Sequence, residues 1–159
     1  MICFTDGLPG LLCLQRGAAH VCFCDFNEDV LRDVTMPTVK LNVADAAQRA
    51  RTMFVAGDWR DLSRSDVAVE ALGEPFDVVL AAETLYNIES LPAFVAVLRR
   101  CLSRSGVALL ATKRYYFGVG GGTQALIDLL GADLQMSEVA SFQDGRSNVR
   151  EILRVEWKN

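Results

Sequence analysis

The 159-residue sequence lacks the features that mark several common classes of protein. It contains one histidine, His20, and none of its five cysteines forms a Cys-x-x-Cys pair, so we expect no metal site. An odd number of cysteines without that spacing favours buried, reduced thiols over a disulfide framework. The sequence also lacks a hydrophobic run near the roughly 20 residues of a membrane helix, and its first residues lack the basic flank of a signal peptide. We therefore expect a cytoplasmic or nuclear protein without a membrane segment.

Positive charge is not in excess either. The sequence has 20 acidic and 16 basic residues, which gives a formal net charge of −4 at pH 7. Proteins that bind nucleic acid through its phosphates usually present a basic face, so we expect no direct binding to nucleic acid. The length suits a single domain over residues 1–159, and a hydrophobic content of 51% is enough for one sizeable core.

Apolar runs typical of β-strands alternate with helical patterns along most of the chain. Strands are predicted at 20–24, 52–56, 76–82, 107–112, 134–142 and 149–157. Helices are predicted at 8–16, 28–42, 91–102 and 123–130, with a weaker pattern at 65–72. This alternation predicts an α/β fold with a mostly parallel sheet covered on both faces. The last two strands follow each other across the turn signal Gln143–Arg146, which predicts an antiparallel hairpin at the sheet edge.

Polar residues follow three of the predicted strands, at the sheet edge where open α/β sheets bind ligands. Asp25 can accept hydrogen bonds from the two hydroxyls of a ribose, or it can cap the helix that starts near Glu28. Asp58 can accept a hydrogen bond from an adenine amino group while Trp59 stacks on the ring. Trp59 can equally pack in the core. Glu83 directly follows the predicted strand at 76–82, close to both groups.

A glycine-rich loop, Gly118–Gly122, follows the predicted strand at 107–112. It lacks the Gly-Lys-Ser/Thr ending of a phosphate-binding loop, and Lys113 precedes the glycines. The glycines therefore indicate positive φ angles and close backbone approach near a substrate. The aromatic residues before them, Tyr115, Tyr116 and Phe117, can form an apolar wall that excludes water, or they can belong to the core.

Four sets of residues carry a resemblance to a known family. They are Gly7–Leu11 with 16–18, Asp25–Asn27 with 33–37, Gly57–Trp59, and Glu83–Asn87 with Tyr115–Gly122. With these motifs, the sequence resembles the protein-histidine methyltransferases that modify a large-subunit ribosomal protein, within the wider methyltransferase-like family. The resemblance covers nearly all of Gly7 to Trp157. It implies a Rossmann-like, seven-stranded fold and a transferase that uses S-adenosyl-L-methionine for protein histidine methylation.

The resemblance also implies roles for individual residues. The residues expected to bind the cofactor are Gly7, Asp25, Asn27, Asp58, Trp59 and Glu83. Those expected to act in catalysis are Glu83, Tyr86 and Asn87. Those expected to bind the substrate are Tyr115, Tyr116, Phe117 and Gly118. Methyl transfer from a sulfonium is an in-line displacement, so it requires alignment and a correctly protonated acceptor rather than an enzyme nucleophile. For a histidine acceptor, a group bonded to one ring nitrogen fixes the lone pair on the other.

The sequence departs from the family near its first strand. Family members have an acidic residue and a Gly-x-Gly-x-Gly turn after a full first strand. Here Gly7 matches one glycine, Cys3 and Thr5 stand at the others, and Met1 stands at the acidic position. We therefore expect a short or missing first strand and a chain truncated at its amino terminus. Two functions remain open: an active protein methyltransferase, or an inactive methyltransferase-like binding module with impaired cofactor binding.

Overall fold

The structure is a computed structural model that describes residues 1–4, 7–64, 72–143, 145 and 148–158. In this part of the chain the strands are β1 (Ile2–Phe4), β2 (Val21–Asp25), β3 (Thr52–Ala56), β4 (Phe76–Ala82), β5 (Leu102–Lys113), β6 (Leu134–Phe142) and β7 (Arg150–Trp157). The helical segments are Leu8–Gln15, Glu28–Val30, Leu31–Thr35, Met36–Asn42, Ala46–Arg49, Trp59–Leu62, Leu91–Cys101 and Thr123–Leu130. The predicted helix at 65–72 lies, apart from Leu72, outside the described residues, and so do Asp144 and Arg146 of the predicted turn.

These strands form one seven-stranded sheet in the order β3-β2-β1-β4-β5-β7-β6. The pairs from β3 through to β5 are parallel, whereas β7 runs antiparallel to both β5 and β6. The predicted mostly parallel sheet and its antiparallel hairpin are therefore confirmed. Within the hairpin, β7 lies between β5 and β6, so β6 forms the edge of the sheet.

The first strand, which the sequence predicted to be short or missing, is present and short. β1 has three residues and lies at the centre of the sheet, where Ile2 is in register with Cys22 of β2 and with Val79 of β4. All three of its side chains are buried, which is typical of a parallel strand covered on both faces. Cys3 packs in the core.

Several boundaries differ from the sequence prediction. β5 begins at Leu102, five residues before the predicted start, because Leu102 is in register with Phe76 and a register shift follows before Val78. The helix predicted at 28–42 contains a π-helical turn at Leu31–Thr35. The helices Ala46–Arg49 and Trp59–Leu62 were not predicted, since four residues are too few for a helical period to be visible.

The core consists of two layers, one on each face of the sheet. The helix Leu91–Cys101 packs Leu91, Phe94 and Leu98 on one face, and the helix Leu8–Gln15 packs on the other together with Phe23. Burial raises the pKa of the Cys22 and Cys101 thiols to about 12, so they stay protonated and apolar. Among the described residues, no helix has the length and apolar character that crossing a membrane requires. These layers fix the carboxyl ends of β1 to β4 along one sheet edge.

Candidate functional site

The carboxyl edge of the sheet brings together the residues that follow β1, β2, β3 and β4. Because these strands are parallel neighbours, Gly7, Asp25, Asp58 and Glu83 all lie at this edge. The Gly57 N–H donates to the Asp25 carbonyl oxygen at 3.0 Å, which links the tips of β2 and β3. The sequence prediction that these polar residues converge at one edge is therefore confirmed, while their roles stay predictions.

A cavity of about 280 Å³ opens at this edge. Its wall includes Asp58 and Trp59, which follow β3, and Tyr86 and Asn87, which follow β4. Phe26 also lines it, although the sequence analysis did not select this residue. Residues predicted to bind the cofactor and residues predicted to act on the acceptor thus border the same space. A second cavity, of about 730 Å³, lies at the amino ends of the strands near His20 and Asp77, remote from these residues.

Asp25 lies at the end of β2 and does not cap the following helix. The N-cap of that helix is Asn27, whose backbone N–H donates to Asp25 Oδ1 at 2.8 Å. The alternative of a capping role for Asp25 is therefore wrong, and the half-buried carboxylate instead orders the turn between strand and helix. The predicted cofactor residues Asp25 and Asn27 are joined by this contact.

Asp58 is shared between helix capping and an ion pair. Its Oδ1 accepts from the Arg60 N–H at 2.8 Å, and its Oδ2 lies 2.6 Å from Arg60 Nη2. Hydrogen bonds from the Arg60 side chain, and then from its backbone, hold the pKa of Asp58 below its usual value. The predicted contact with an adenine amino group must share this carboxylate with Arg60, which the sequence analysis did not consider.

Trp59 combines the two roles that the sequence left open. Its ring lies 5.0 Å from the Phe94 ring and 6.4 Å from the Phe4 ring, measured between centroids, so it packs on the core. Trp59 also lines the cavity. The core contacts fix the indole, and the part that faces the cavity remains able to contact a planar ligand.

Glu83 is the centre of a polar network at the tips of β4 and β5. It has a φ of +53°, a left-handed conformation that is uncommon outside glycine and is found at functional sites. Its Oε2 accepts from the Tyr116 hydroxyl at 3.1 Å and lies 3.2 Å from Lys113 Nζ. The Tyr116 hydroxyl also lies 3.2 Å from Thr112 Oγ1. Burial is the main cause that raises the pKa of Tyr116, so the phenol stays a hydrogen-bond donor.

This network changes the interpretation of Tyr116. The sequence left its ring either in an apolar wall or in the core; the ring is partly buried against the core, and its hydroxyl orients the Glu83 carboxylate. From the sequence, Lys113 was considered only as a lysine that precedes the glycines, whereas the lysine of a phosphate-binding loop follows them. No sequence signal pairs it with Glu83, because the contact depends on the register of β4 against β5.

The glycine-rich loop makes the predicted close backbone approach. A Cβ on Gly121 would lie 2.0 Å from the Leu85 carbonyl oxygen. Isolated bridges join Asn87 to Gly120 and Tyr115 to Gly122, so the loop is bonded to the segment after β4 and to its own start. Phe117, at 87% exposure, and the exposed Tyr115 lie outside the core, which excludes the core alternative for both. Gly118 has a φ of +83° in open space.

A buried carboxylate supports both ends of this loop. Glu151 of β7 is 3% exposed and accepts hydrogen bonds from the Arg114 guanidinium and from the Thr123 hydroxyl. Arg114 precedes the loop and Thr123 follows it. Arg114 also pairs with Glu138 of β6. The sequence analysis missed this cluster, since its members are separated by many residues and meet only through the hairpin.

Comparison with known proteins identifies the family. Residues 6–117 match the model of a family described as lysine methyltransferase. The chain belongs to this family. It is 36% identical over 154 residues to the histidine protein methyltransferase 1 homolog of Dictyostelium discoideum, covering 96% of this chain and 47% of that protein. It is 36% identical to the Rattus norvegicus protein of the same name, covering 74% of this chain and 38% of that protein. The chain thus spans less than half the length of these relatives, and the resemblance to protein-histidine methyltransferases is confirmed.

Solved structures confirm the Rossmann-like methyltransferase fold. A predicted O-methyltransferase from Agrobacterium tumefaciens superposes with a TM-score of 0.68 at 17% identity, covering 99% of this chain and 73% of that one. A TehB-like SAM-dependent methyltransferase from Corynebacterium glutamicum gives a TM-score of 0.63 at 16% identity, with coverages of 99% and 79%. A methyltransferase family and this fold together support the predicted cofactor, S-adenosyl-L-methionine.

Proposed function

We propose that this chain is a single methyltransferase domain that uses S-adenosyl-L-methionine to methylate a histidine side chain of a large-subunit ribosomal protein. The names of its relatives support a histidine acceptor, and the family supports methyl transfer. The observation that carries the proposal is the shared cavity, which Asp58 and Trp59 border from one side and Tyr86 and Asn87 from the other. A cofactor site and an acceptor site must meet in this way for direct transfer.

The residues at the strand tips fit an adenosine group. Asp25 supplies a carboxylate for ribose hydroxyls, and Trp59 and the exposed Phe26 supply aromatic surface. Gly7 has a φ of +95°, and a Cβ there would lie 3.0 Å from Thr35 Cγ2, so this turn requires glycine. When bound, S-adenosyl-L-methionine would supply an electrophilic methyl group on its sulfonium.

Among the three residues predicted to be catalytic, Glu83 has the best-supported role. A carboxylate that accepts the N–H of an imidazole leaves the other ring nitrogen with a lone pair for attack. Tyr116 and Lys113 hold the Glu83 carboxylate in place. Asn87 Oδ1 already accepts from the Glu89 N–H at 2.8 Å, which leaves its NH₂ group to contact the acceptor. Tyr86 packs its ring against Tyr116 and lines the cavity.

Methylation of purified large ribosomal subunits tests the acceptor. The chain is incubated with these subunits and a tritiated methyl donor, and the labelled protein is hydrolysed to separate methylhistidine from methyllysine. We expect the label in methylhistidine. Glu83→Gln should lower the rate about tenfold, since it removes one charge-assisted hydrogen bond. Tyr86→Phe and Asn87→Ala should also lower it. Label in methyllysine alone would contradict a histidine acceptor, and wild-type rates for all three variants would contradict the site.

Binding of S-adenosylhomocysteine tests the cofactor site separately and decides between enzyme and inactive module. Asp25→Asn should weaken the affinity measured by isothermal titration calorimetry about tenfold, because hydrogen bonds to a charged carboxylate are stronger than those to an amide. Asp29→Asn is the matched control: this exposed carboxylate pairs with Arg32 on the following helix, and its loss should leave the affinity unchanged. A wild-type chain that binds no S-adenosylhomocysteine would favour the inactive binding module.

We further propose a cytoplasmic and nuclear location. None of the five cysteines, all of which the structure describes, forms a disulfide, and four of them are buried, which suits a reducing compartment. Fluorescence microscopy of a tagged chain in intact cells tests this location. Signal confined to a secretory compartment would contradict it.

A further inference from the structure

The charge of Glu83 is balanced inside the site by Lys113. Glu83 directly follows β4, and Lys113 is the last residue of β5. The Glu83 N–H donates to the Ala111 carbonyl oxygen at 3.0 Å, so the register of the two strands sets the side chains opposite each other. The ammonium lies 3.2 Å from the carboxylate and 5.2 Å from the centre of the Tyr116 ring, which orients it from a second side.

The two candidate acceptors, a lysine side chain and a histidine side chain, differ in charge. A lysine side chain is cationic at neutral pH and must lose a proton before it can attack, whereas imidazole is largely neutral. An uncompensated carboxylate attracts an ammonium and stabilises it in the protonated form. A carboxylate paired with a lysine exerts much less attraction, yet it can still accept the N–H of an imidazole. We propose that Lys113 is a specificity-determining residue that favours imidazole over alkylammonium acceptors by neutralising Glu83; this rests on the function proposed above.

The charged groups that line the cavity are Asp58, Arg60 and Glu89, and Glu83 adjoins it through the contact of Tyr116 with Tyr86. The Asp58 carboxylate is paired with Arg60. Glu89 lines the cavity, and its side chain makes no ion pair with any other described residue. Glu89 therefore contributes negative charge that attracts cations. Removing this charge should change the preference between the two acceptors in the direction opposite to removal of the Lys113 charge.

Small acceptor analogues test the assignment without knowledge of the acceptor protein. Imidazole and n-butylammonium are titrated separately, at a pH where the first is neutral and the second is charged, with and without S-adenosylhomocysteine. Backbone amide shifts of residues 83–87, measured by NMR, report the two affinities. Lys113→Met, which keeps an unbranched side chain without charge, should raise the affinity for n-butylammonium relative to imidazole about fivefold. Lys113→Arg should keep the wild-type ratio, and Glu89→Gln should lower it.

Each other outcome contradicts the assignment. It would be overturned if the affinity ratio in Lys113→Met were unchanged, or if Lys113→Arg changed the ratio as much as Lys113→Met does. It would also be overturned if neither analogue shifted the amide signals. A second readout is the ratio of kcat/KM for two degenerate peptide libraries, one with a fixed central histidine and one with lysine; Lys113→Met should shift this ratio towards lysine. Calorimetry with S-adenosylhomocysteine separates the two proposals. If no variant binds it while the analogue ratio still changes, Lys113 sets the charge preference of the site, and the proposed methyltransferase function is contradicted together with the role of Lys113 in it.

Discussion

Replacing Glu151 with alanine is expected to lower the free energy of unfolding by about 2–3 kcal/mol, less than for a fully buried ion pair, because the Arg114 side chain is 40% exposed and also contacts Glu138. The carboxylate is almost fully buried and holds Arg114 and Thr123 at the two ends of the glycine-rich loop. Its loss leaves the Thr123 hydroxyl without its buried acceptor, while the Arg114 guanidinium keeps only its contact with the exposed Glu138 among the described carboxylates. Urea denaturation followed by tryptophan fluorescence measures the change.

Glu138 provides the matched control for Glu151. It pairs with the same Arg114, but its side chain is 47% exposed at the edge strand β6. Glu138→Ala should therefore cost less than about 1 kcal/mol, as is usual for an exposed ion pair. Equal effects of the two substitutions would show that burial at Glu151 does not support the loop.

Replacing Gly121 with alanine is expected to displace the glycine-rich loop from the segment after β4. The new Cβ would lie 2.0 Å from the Leu85 carbonyl oxygen and 2.4 Å from that of Tyr86, both of which are backbone atoms. Backbone cannot yield as a flexible side chain can, so we expect a loss of about 3 kcal/mol in stability, at the upper end for overpacking. Methyl transfer should fall as well, because Tyr86 and Asn87 lie in the displaced segment.

Gly118→Ala in the same loop is the control for Gly121→Ala. Gly118 has a φ of +83°, and a Cβ there would meet no atom within 4 Å. Only the backbone strain of a left-handed alanine remains, which costs about 1 kcal/mol. If both variants were equally stable, the close packing at Gly121 would be refuted. Urea denaturation gives the stabilities, and amide exchange at residues 85–88 reports the displacement.

The sequence predicted those parts of the fold that depend on local patterns. The boundaries of β3, β4 and β6 agree with the prediction, because each is an apolar or alternating run that ends at a clear break. The carboxyl-edge position of Asp25, Asp58 and Glu83 also follows from the order of strands and helices. The π-helical turn at Leu31–Thr35 was not predictable, since its residues are compatible with an ordinary helix.

Contacts between distant residues account for most of what the sequence did not reveal about the site. Lys113 meets Glu83 only because β5 pairs with β4 in one register, and Arg114 meets Glu151 only because β7 enters beside β5. The glycine-rich loop was predicted to approach other backbone closely, but its partner, the segment after β4, could not be identified from composition. Such pairings depend on the tertiary arrangement rather than on any spacing within the chain.

The position of β7 has a consequence for the order of events during translation. β6 emerges from the ribosome first, yet in the sheet it pairs with β7 and with no other described strand. Until β7 follows, a nascent chain therefore carries an unpaired strand whose apolar residues Leu134 and Met136 pack in the core of the folded protein, which is a site for chaperone binding or aggregation. Because β7 also carries Glu151, the loop beside the acceptor site is secured only after that strand has been synthesised.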